Sequence, residues 1–338
     1  MKAIVVEAVN EAVSYQEIET PRAATGEVVV KLKAAALNHR DVWIQKGRYP
    51  GMKLPVVIGS DGAGVVLEVG ESVDAAWLGQ EVIINSGHNW GDDERFYTPN
   101  FKILGMPDNG TFAEYVKVEA KYLVAKPAHL SFEEAAAVPL GGLTGWRALM
   151  SRAKLQAGER VLVTGAGGGV ALFVLQFAVA QGAEVWVTSG SDEKISKAVA
   201  LGAKGGVNYK ETDWAKNLIA ATGGSRAGYF DVIIDSAGGS GFAKLIDVAA
   251  LGARICFYGG TAGNISDLIP GKVFFKQLDI LGSTMGSEKD FAEMIQFVEK
   301  HQIKPVIDAV FSLADTETAL RRMDEGTQFG KIVLRIGV

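Results

Sequence analysis

The glycine run Gly165-Ala166-Gly167-Gly168-Gly169-Val170-Ala171 stands directly after the apolar segment Val161-Leu162-Val163-Thr164 and opens an apolar stretch, Val170 to Gly182, long enough for a helix. Strand, glycine turn and helix in that order can cradle a dinucleotide. Gly165 makes the tight turn, Gly167 lets backbone N–H groups approach a pyrophosphate, and a small third residue lets helix and strand pack closely. The start of the helix, at Gly168, Gly169 and Val170, adds partial positive charge for the phosphates. The third small residue is Ala171, one place later than the standard G-x-G-x-x-G spacing. A glycine-rich turn that binds nothing is the plain alternative, and the flanking strand and helix weigh against it.

At the end of the next strand-like segment, a site for NAD would carry Asp or Glu to accept from the ribose 2′-hydroxyl. This chain has Thr188-Ser189-Gly190-Ser191-Asp192-Glu193-Lys194. Asp192 and Glu193 fall in the first turn of the following helix, where complementing its dipole accounts for them. Ser189 and Lys194 can donate to a 2′-phosphate, so the pattern favours NADPH over NADH. The competing reading of Lys194 is a solvated surface side chain.

These residues need a scaffold, and 338 residues are a little over two domains at roughly 150 residues each. Up to residue 125 the apolar segments are short and strand-like, as in Val28 to Lys33, Val65 to Val69 and Glu81 to Ile84, separated by Gly, Pro and Asp turns. From 126 to 285 strands alternate with helices, the rhythm of βαβ units and a parallel sheet. Strand signals at Val161 to Thr164, Glu184 to Thr188, Gly206 to Tyr209, Asp231 to Asp235, Arg254 to Tyr258 and Leu278 to Leu281 fit a six-stranded doubly wound sheet. From 286 to 338 a helix to about His301 and two further strand-like segments read as a return to the first lobe. The expected fold is therefore α/β: a β-rich lobe from both chain ends, a Rossmann lobe between, and a cleft suited to a dinucleotide.

Composition excludes several functions. Lys and Arg total 34 against 39 Asp and Glu, a formal net charge of −5, and no basic tract interrupts the chain, so nucleic acid has no electrostatic footprint. The apolar stretch from Val170 to Ala180 holds Gln176 and falls well short of the roughly 18 residues of a membrane span. The start Met1-Lys2-Ala3-Ile4-Val5-Val6-Glu7 lacks the apolar region of a signal peptide, so a soluble cytoplasmic protein is expected. One cysteine, Cys256, permits no internal disulfide and no multi-thiolate zinc site, and its apolar setting reads as a buried strand.

Ala36-Leu37-Asn38-His39-Arg40-Asp41, Gly47-Arg48-Tyr49-Pro50, Gly59-Ser60-Asp61-Gly62-Ala63-Gly64, Gly110 to Tyr115, Leu143-Thr144-Gly145-Trp146, the glycine loop and Gly330-Lys331-Ile332-Val333-Leu334 occur in an order that resembles the medium-chain dehydrogenase/reductase superfamily. Within it the chain is similar to the zinc-free quinone oxidoreductase branch, and the resemblance covers essentially the whole chain. It implies a GroES-like catalytic lobe, a Rossmann lobe, hydride transfer from NAD(P)H and a homodimer. It places Asn38, Asp41 and Tyr49 near the nicotinamide, with Tyr49 as proton donor, Asn38 as a polar contact and Asp41 as an orienting group. Asp41 as a helix cap and Tyr49 as turn packing are the bland alternatives. The resemblance also directs Thr144, His39 and Tyr209 at the cofactor, the last two at its pyrophosphate and adenine. Gly238, Gly259, Gly260, Ser283 and Thr284 are directed at its ribose and nicotinamide.

Where the zinc alcohol dehydrogenases place catalytic Cys, His and Cys ligands, this sequence has Asn38, Ser60 and Leu140. None supplies a thiolate or imidazole, so no catalytic metal is expected. The segment Ser86 to Asn109, where those enzymes carry structural cysteines, has none, and its lone His88 reads as non-ligating. Without a Lewis acid, simple alcohol oxidation fits poorly, whereas reduction of quinones or activated alkenes places charge on an oxygen that hydrogen-bond donors can stabilise. The expected activity is NADPH-dependent quinone or enone reduction. The alternatives are a non-catalytic NADPH-binding protein and, less favoured, an alcohol dehydrogenase.

Overall fold

In the computed structural model, which describes residues 1–225 and 227–337, the chain forms two compact units, Met1–Leu143 with Gly286–Val338, and Thr144–Met285. The first unit is built on a seven-stranded sheet. Its strand order is Leu123–Ala125, Glu81–Ile84, Asp61–Val69, Glu27–Ala36, Lys331–Arg335 and Ile307–Ser312, and Tyr115–Glu119 also pairs with Glu27–Ala36. Strand Lys331–Arg335 runs antiparallel to Glu27–Ala36 with Val333 opposite Ala36, so the end of the chain completes the sheet begun near its start. A core of Val28, Val30, Leu32, Leu37, Ile58, Phe112 and Leu334 fills this unit.

The β-rich lobe extends past the expected boundary at 125. Helix Phe132–Ala137 opens on a capping box between Ser131 and Glu134, and its buried Ala135, Ala136 and Ala137 pack against strands Glu27–Ala36, Asp61–Val69 and Lys331–Arg335. Alanine's small side chain lets a helix lie close on a sheet, which keeps residues 126–143 with the first unit and not with the Rossmann unit.

The second unit holds a six-stranded parallel sheet in the order Gly205–Asn208, Glu184–Ser189, Arg160–Val163, Phe230–Asp235, Ala249–Phe257 and Asp279–Gly282. This is the doubly wound order expected, and it reverses direction between Arg160–Val163 and Phe230–Asp235, the kind of point at which such sheets bind ligands. Helix Gly169–Ala180 leaves the first of these strands and buries Ala171, Leu172, Phe173, Val174, Leu175, Phe177 and Ala178. Cys256 is fully buried in strand Ala249–Phe257, and burial pushes its thiol up to about 12, where a thiolate is not available for chemistry. Among the described residues no helix is long and apolar enough to cross a membrane.

Candidate active site

In the first unit, helix His39–Gln45 starts immediately beyond strand Glu27–Ala36, with Asn38 as its N-cap in extended conformation. The Asn38 backbone N–H donates to Asp41 Oδ2 at 2.8 Å. Asp41 is fully buried, and desolvation raises its carboxyl to about 6 despite the nearby Arg40 charge. Asp41 thus caps the helix and orients Asn38, as the helix-cap reading allowed, and its side chain presents no surface to solvent.

The Asn38 side chain belongs to a buried polar network. Its Nδ2 donates to Asp61 Oδ2 at 2.9 Å and its Oδ1 accepts from Lys331 Nζ at 2.7 Å. Lys331 also donates to Asp61 Oδ2 at 3.0 Å and to the Leu37 carbonyl at 2.8 Å. Asp61 Oδ1 accepts from Ser86 Oγ and from the Leu140 backbone N–H, each at 2.8 Å. Asp61 therefore has four donors and Lys331 three acceptors, which satisfies both groups with almost no exposure to solvent. Sequence reasoning missed Asp61, Ser86 and Lys331 as site residues. The available signal was Lys331 itself, a lysine opening the run Lys331 to Leu334 in which every residue is buried.

Beside this network lies Arg40, also buried. Its Nη1 donates to Ser60 Oγ and, at 2.7 Å, to the Leu104 carbonyl. The half-buried Tyr49 ring lies over the guanidinium, 4.6 Å from its carbon, and packs on the β core. Arg40 Nε, Arg40 Nη2 and Asp41 Oδ1 are buried with no protein partner. His39 is exposed at the first turn of the same helix, its ring edge-on to Trp43.

The three positions that correspond to zinc ligands do not suit a metal here. Asn38 Oδ1 is occupied by the Lys331 ammonium, Ser60 Oγ accepts from the Arg40 guanidinium, and the Leu140 side chain has no donor atom. Two buried cations would have to leave before a divalent ion could use these oxygens. Among the described residues no group of three or more His, Cys, Asp or Glu side chains could hold a metal ion. His88 stacks on Tyr122 with ring centroids 3.8 Å apart, and one ring nitrogen lies 3.0 Å from the Asn85 carbonyl; burial lowers it to about 4. The segment Ser86 to Asn109 builds a small aromatic core, with Trp90 edge-on to Tyr97 and Phe101 at 5.7 and 5.4 Å.

In the second unit the glycine loop is tied to the next strand. The Ala166 N–H donates to the Thr188 carbonyl at 2.8 Å, and Ser189 Oγ donates to the Ala166 carbonyl at 2.7 Å. In this arrangement Ser189 is buried and its proton is committed to the loop, so it braces the turn and does not offer the phosphate donor expected from sequence. Gly165 and Gly167 have φ of +69° and +128°. A methyl group at Gly167 would lie 2.8 Å from Lys194 Cδ and 3.6 Å from its Nζ, so the lysine side chain runs across the loop. A methyl at Gly190 would lie 2.8 Å from the Tyr209 hydroxyl and 3.0 Å from Lys210 Cε. Lys194, Tyr209 and the unanticipated Lys210 are thus gathered around the loop and the end of strand Glu184–Ser189. Helix Gly169–Ala180 starts from Gly168, with Val170 in its first turn.

Asp235 closes the other side of this turn region. It accepts from Thr164 Oγ1 at 2.7 Å and from the Gly238 N–H at 2.7 Å, fixing the loop after strand Phe230–Asp235. Gly259 lies against the Ser236 backbone, and Gly260 is open. Ser283 Oγ is buried without a protein partner, Thr284 is exposed, and Thr144 is buried beside Met285 Sδ. An orphaned hydroxyl, a loop backbone that only glycine permits and a helix N-terminus together fit a nicotinamide dinucleotide.

Known proteins agree with this architecture. Residues 24–128 match the alcohol dehydrogenase GroES-like domain and residues 169–300 match the family described as zinc-binding dehydrogenase. The chain is 38% identical over 336 residues to the zinc-type alcohol dehydrogenase-like protein YogA of Leptosphaeria maculans, covering 94% of this chain and 93% of that one. It is 31% identical to an acryloyl-coenzyme A reductase of Metallosphaera sedula, covering 99% of each. The crystal structure of an NAD-dependent alcohol dehydrogenase superposes with a TM-score of 0.93 at 40% identity over the whole of both chains. The chain belongs to the medium-chain dehydrogenase/reductase superfamily and is an oxidoreductase of that superfamily.

Proposed function

We propose that this protein uses NADPH to reduce quinones or alkenes conjugated to a carbonyl, without a metal. The observation that carries the reading is the pair of buried cations, Lys331 on Asn38 and Arg40 on Ser60, at the positions where a zinc enzyme needs ligands. A simple alcohol or isolated ketone needs its oxygen strongly polarised. A conjugated acceptor spreads the incoming charge to an oxygen that hydrogen-bond donors can meet. The name of the acryloyl-coenzyme A reductase relative supports a conjugated acceptor. NADPH is supported by Lys194 lying across the glycine loop and by Ser189-Gly190 standing where an acid would hold a free ribose hydroxyl.

Bound NADPH would supply the hydride. The glycine loop and the N-terminus of helix Gly169–Ala180 would hold its pyrophosphate, and Lys194 and Tyr209 its adenosine phosphate. Tyr49 would protonate the reduced substrate, its phenol held in place by the Arg40 guanidinium. A homodimer in the cytoplasm remains part of this proposal. NADPH consumption with benzoquinone, phenanthrenequinone or cyclohexenone tests it. Tight NADPH binding with no consumption of any acceptor would favour a non-catalytic binding protein instead.

A further inference from the structure

Asn38 is the one member of its network with a donor left over. A primary amide has two N–H donors, and the Asn38 side chain gives one to Asp61 Oδ2 while its Oδ1 accepts from Lys331. These partners fix which way the amide faces. A flip would set its oxygen against the Asp61 carboxylate and its N–H groups against the Lys331 ammonium, two repulsions in a weakly screened interior. Lys331 cannot itself serve a ligand, because its three protons go to Leu37, Asn38 and Asp61. Asp61 is likewise filled, by Ser86, Leu140, Asn38 and Lys331. Any influence of this ion pair on a bound molecule therefore runs through Asn38.

We infer that Lys331, together with Asp61, is a positioning residue that locks the Asn38 amide so that its second N–H donates to the carbonyl oxygen of a conjugated carbonyl substrate. The inference rests on the reductase reading above. In that reaction bound NADPH would supply a hydride to the β-carbon, the C=C π pair would shift toward the carbonyl, and negative charge would collect on its oxygen. A proton from Tyr49 or water then completes the new bond at the α-carbon. A donor fixed before the reaction stabilises that oxygen without reorganisation, and the ammonium on Oδ1 polarises the amide and strengthens its N–H groups as donors.

The test uses cyclohexanone, a saturated ketone that cannot take the conjugate hydride, bound to the full chain with NADP+ and followed by infrared difference spectroscopy. Cyclohexenone turnover is measured in parallel. In the wild type the ketone stretch should move to lower frequency, and the shift should vanish in Asn38→Ala and in the charge-neutral double variant Asp61→Asn/Lys331→Met. Each should lower kcat with cyclohexenone on the order of 10²-fold without weakening NADPH binding, and the triple variant should be no slower than Asn38→Ala. No shift in the wild type, or a shift that survives in Asn38→Ala, overturns the donor role. A shift that survives in the double variant, or additive losses of kcat, overturns the positioning role. If that double variant does not fold, the equally charge-neutral Asp61→Asn/Lys331→Leu carries the same test, and unchanged shift and kcat there overturn the proposal. An Asn38-dependent shift in a wild type that consumes no NADPH with any acceptor would defeat the reductase reading and leave the carbonyl site standing.

Discussion

Lys331 and Asp61, 270 residues apart in sequence, meet at 3.0 Å with side chains 5% and 0% exposed. The contact ties the last strand of the chain to the centre of the first unit's sheet. Removing either charge alone leaves the other buried and uncompensated, so Lys331→Met or Asp61→Asn should each cost roughly 3–5 kcal/mol of stability. Removing both should cost less than the sum, because no bare charge remains. Urea denaturation of the two single variants and the double variant checks this, and additive losses would contradict it.

Under the proposed NADPH dependence, Lys194 would set the choice of cofactor. Lys194→Ala should weaken NADPH by about 1–3 kcal/mol, the worth of a hydrogen bond to a charged group, and leave NADH binding nearly unchanged. Titration of both cofactors by fluorescence reads the difference. Equal weakening of the two would remove Lys194 from the phosphate site.

Tyr49→Phe deletes only a hydroxyl and leaves the ring over Arg40. With an enone, which needs a proton on carbon, turnover should fall by about 10²-fold or more, and with a quinone it should fall less, since a hydroquinone anion takes its proton from water. Wild-type rates with both acceptors would reduce Tyr49 to packing.

His88 gives the fold an acid-sensitive point. Burial lowers its folded-state value to about 4 against an ordinary 6.5, so the unfolded chain binds a proton that the folded chain refuses between those two values. Stability from this group is therefore complete above about pH 6.5 and is lost as the pH falls toward 4. His88→Gln should flatten that limb of the stability curve in urea denaturation at stepped pH, whereas an unchanged limb would show that another group is responsible.

Much of the fold was legible in the sequence, and the reason is range. The glycine loop, the six parallel strands and the helix after Gly168 are written in residues close together in sequence, where periodicity and turn chemistry act. The boundary near 126 falls short because helix Phe132–Ala137 is tied to the first unit by its contacts with strands from both chain ends, which no local signal records. The network under Asn38 was illegible for the same reason: Asp61 opens a glycine-rich strand, Lys331 opens another strand far along the chain, and nothing local couples them. Ser189 reads from sequence as a phosphate donor, but which group its hydroxyl faces depends on the fold of the loop at Ala166.

Metal-independent reduction of a conjugated acceptor is tested most directly by the product formed from cyclohexenone and NADPH with EDTA-dialysed protein. The account predicts cyclohexanone, formed at the rate of undialysed protein that itself carries well under one zinc per chain. Cyclohexenol as the product, or activity lost on dialysis and restored by zinc, would contradict it.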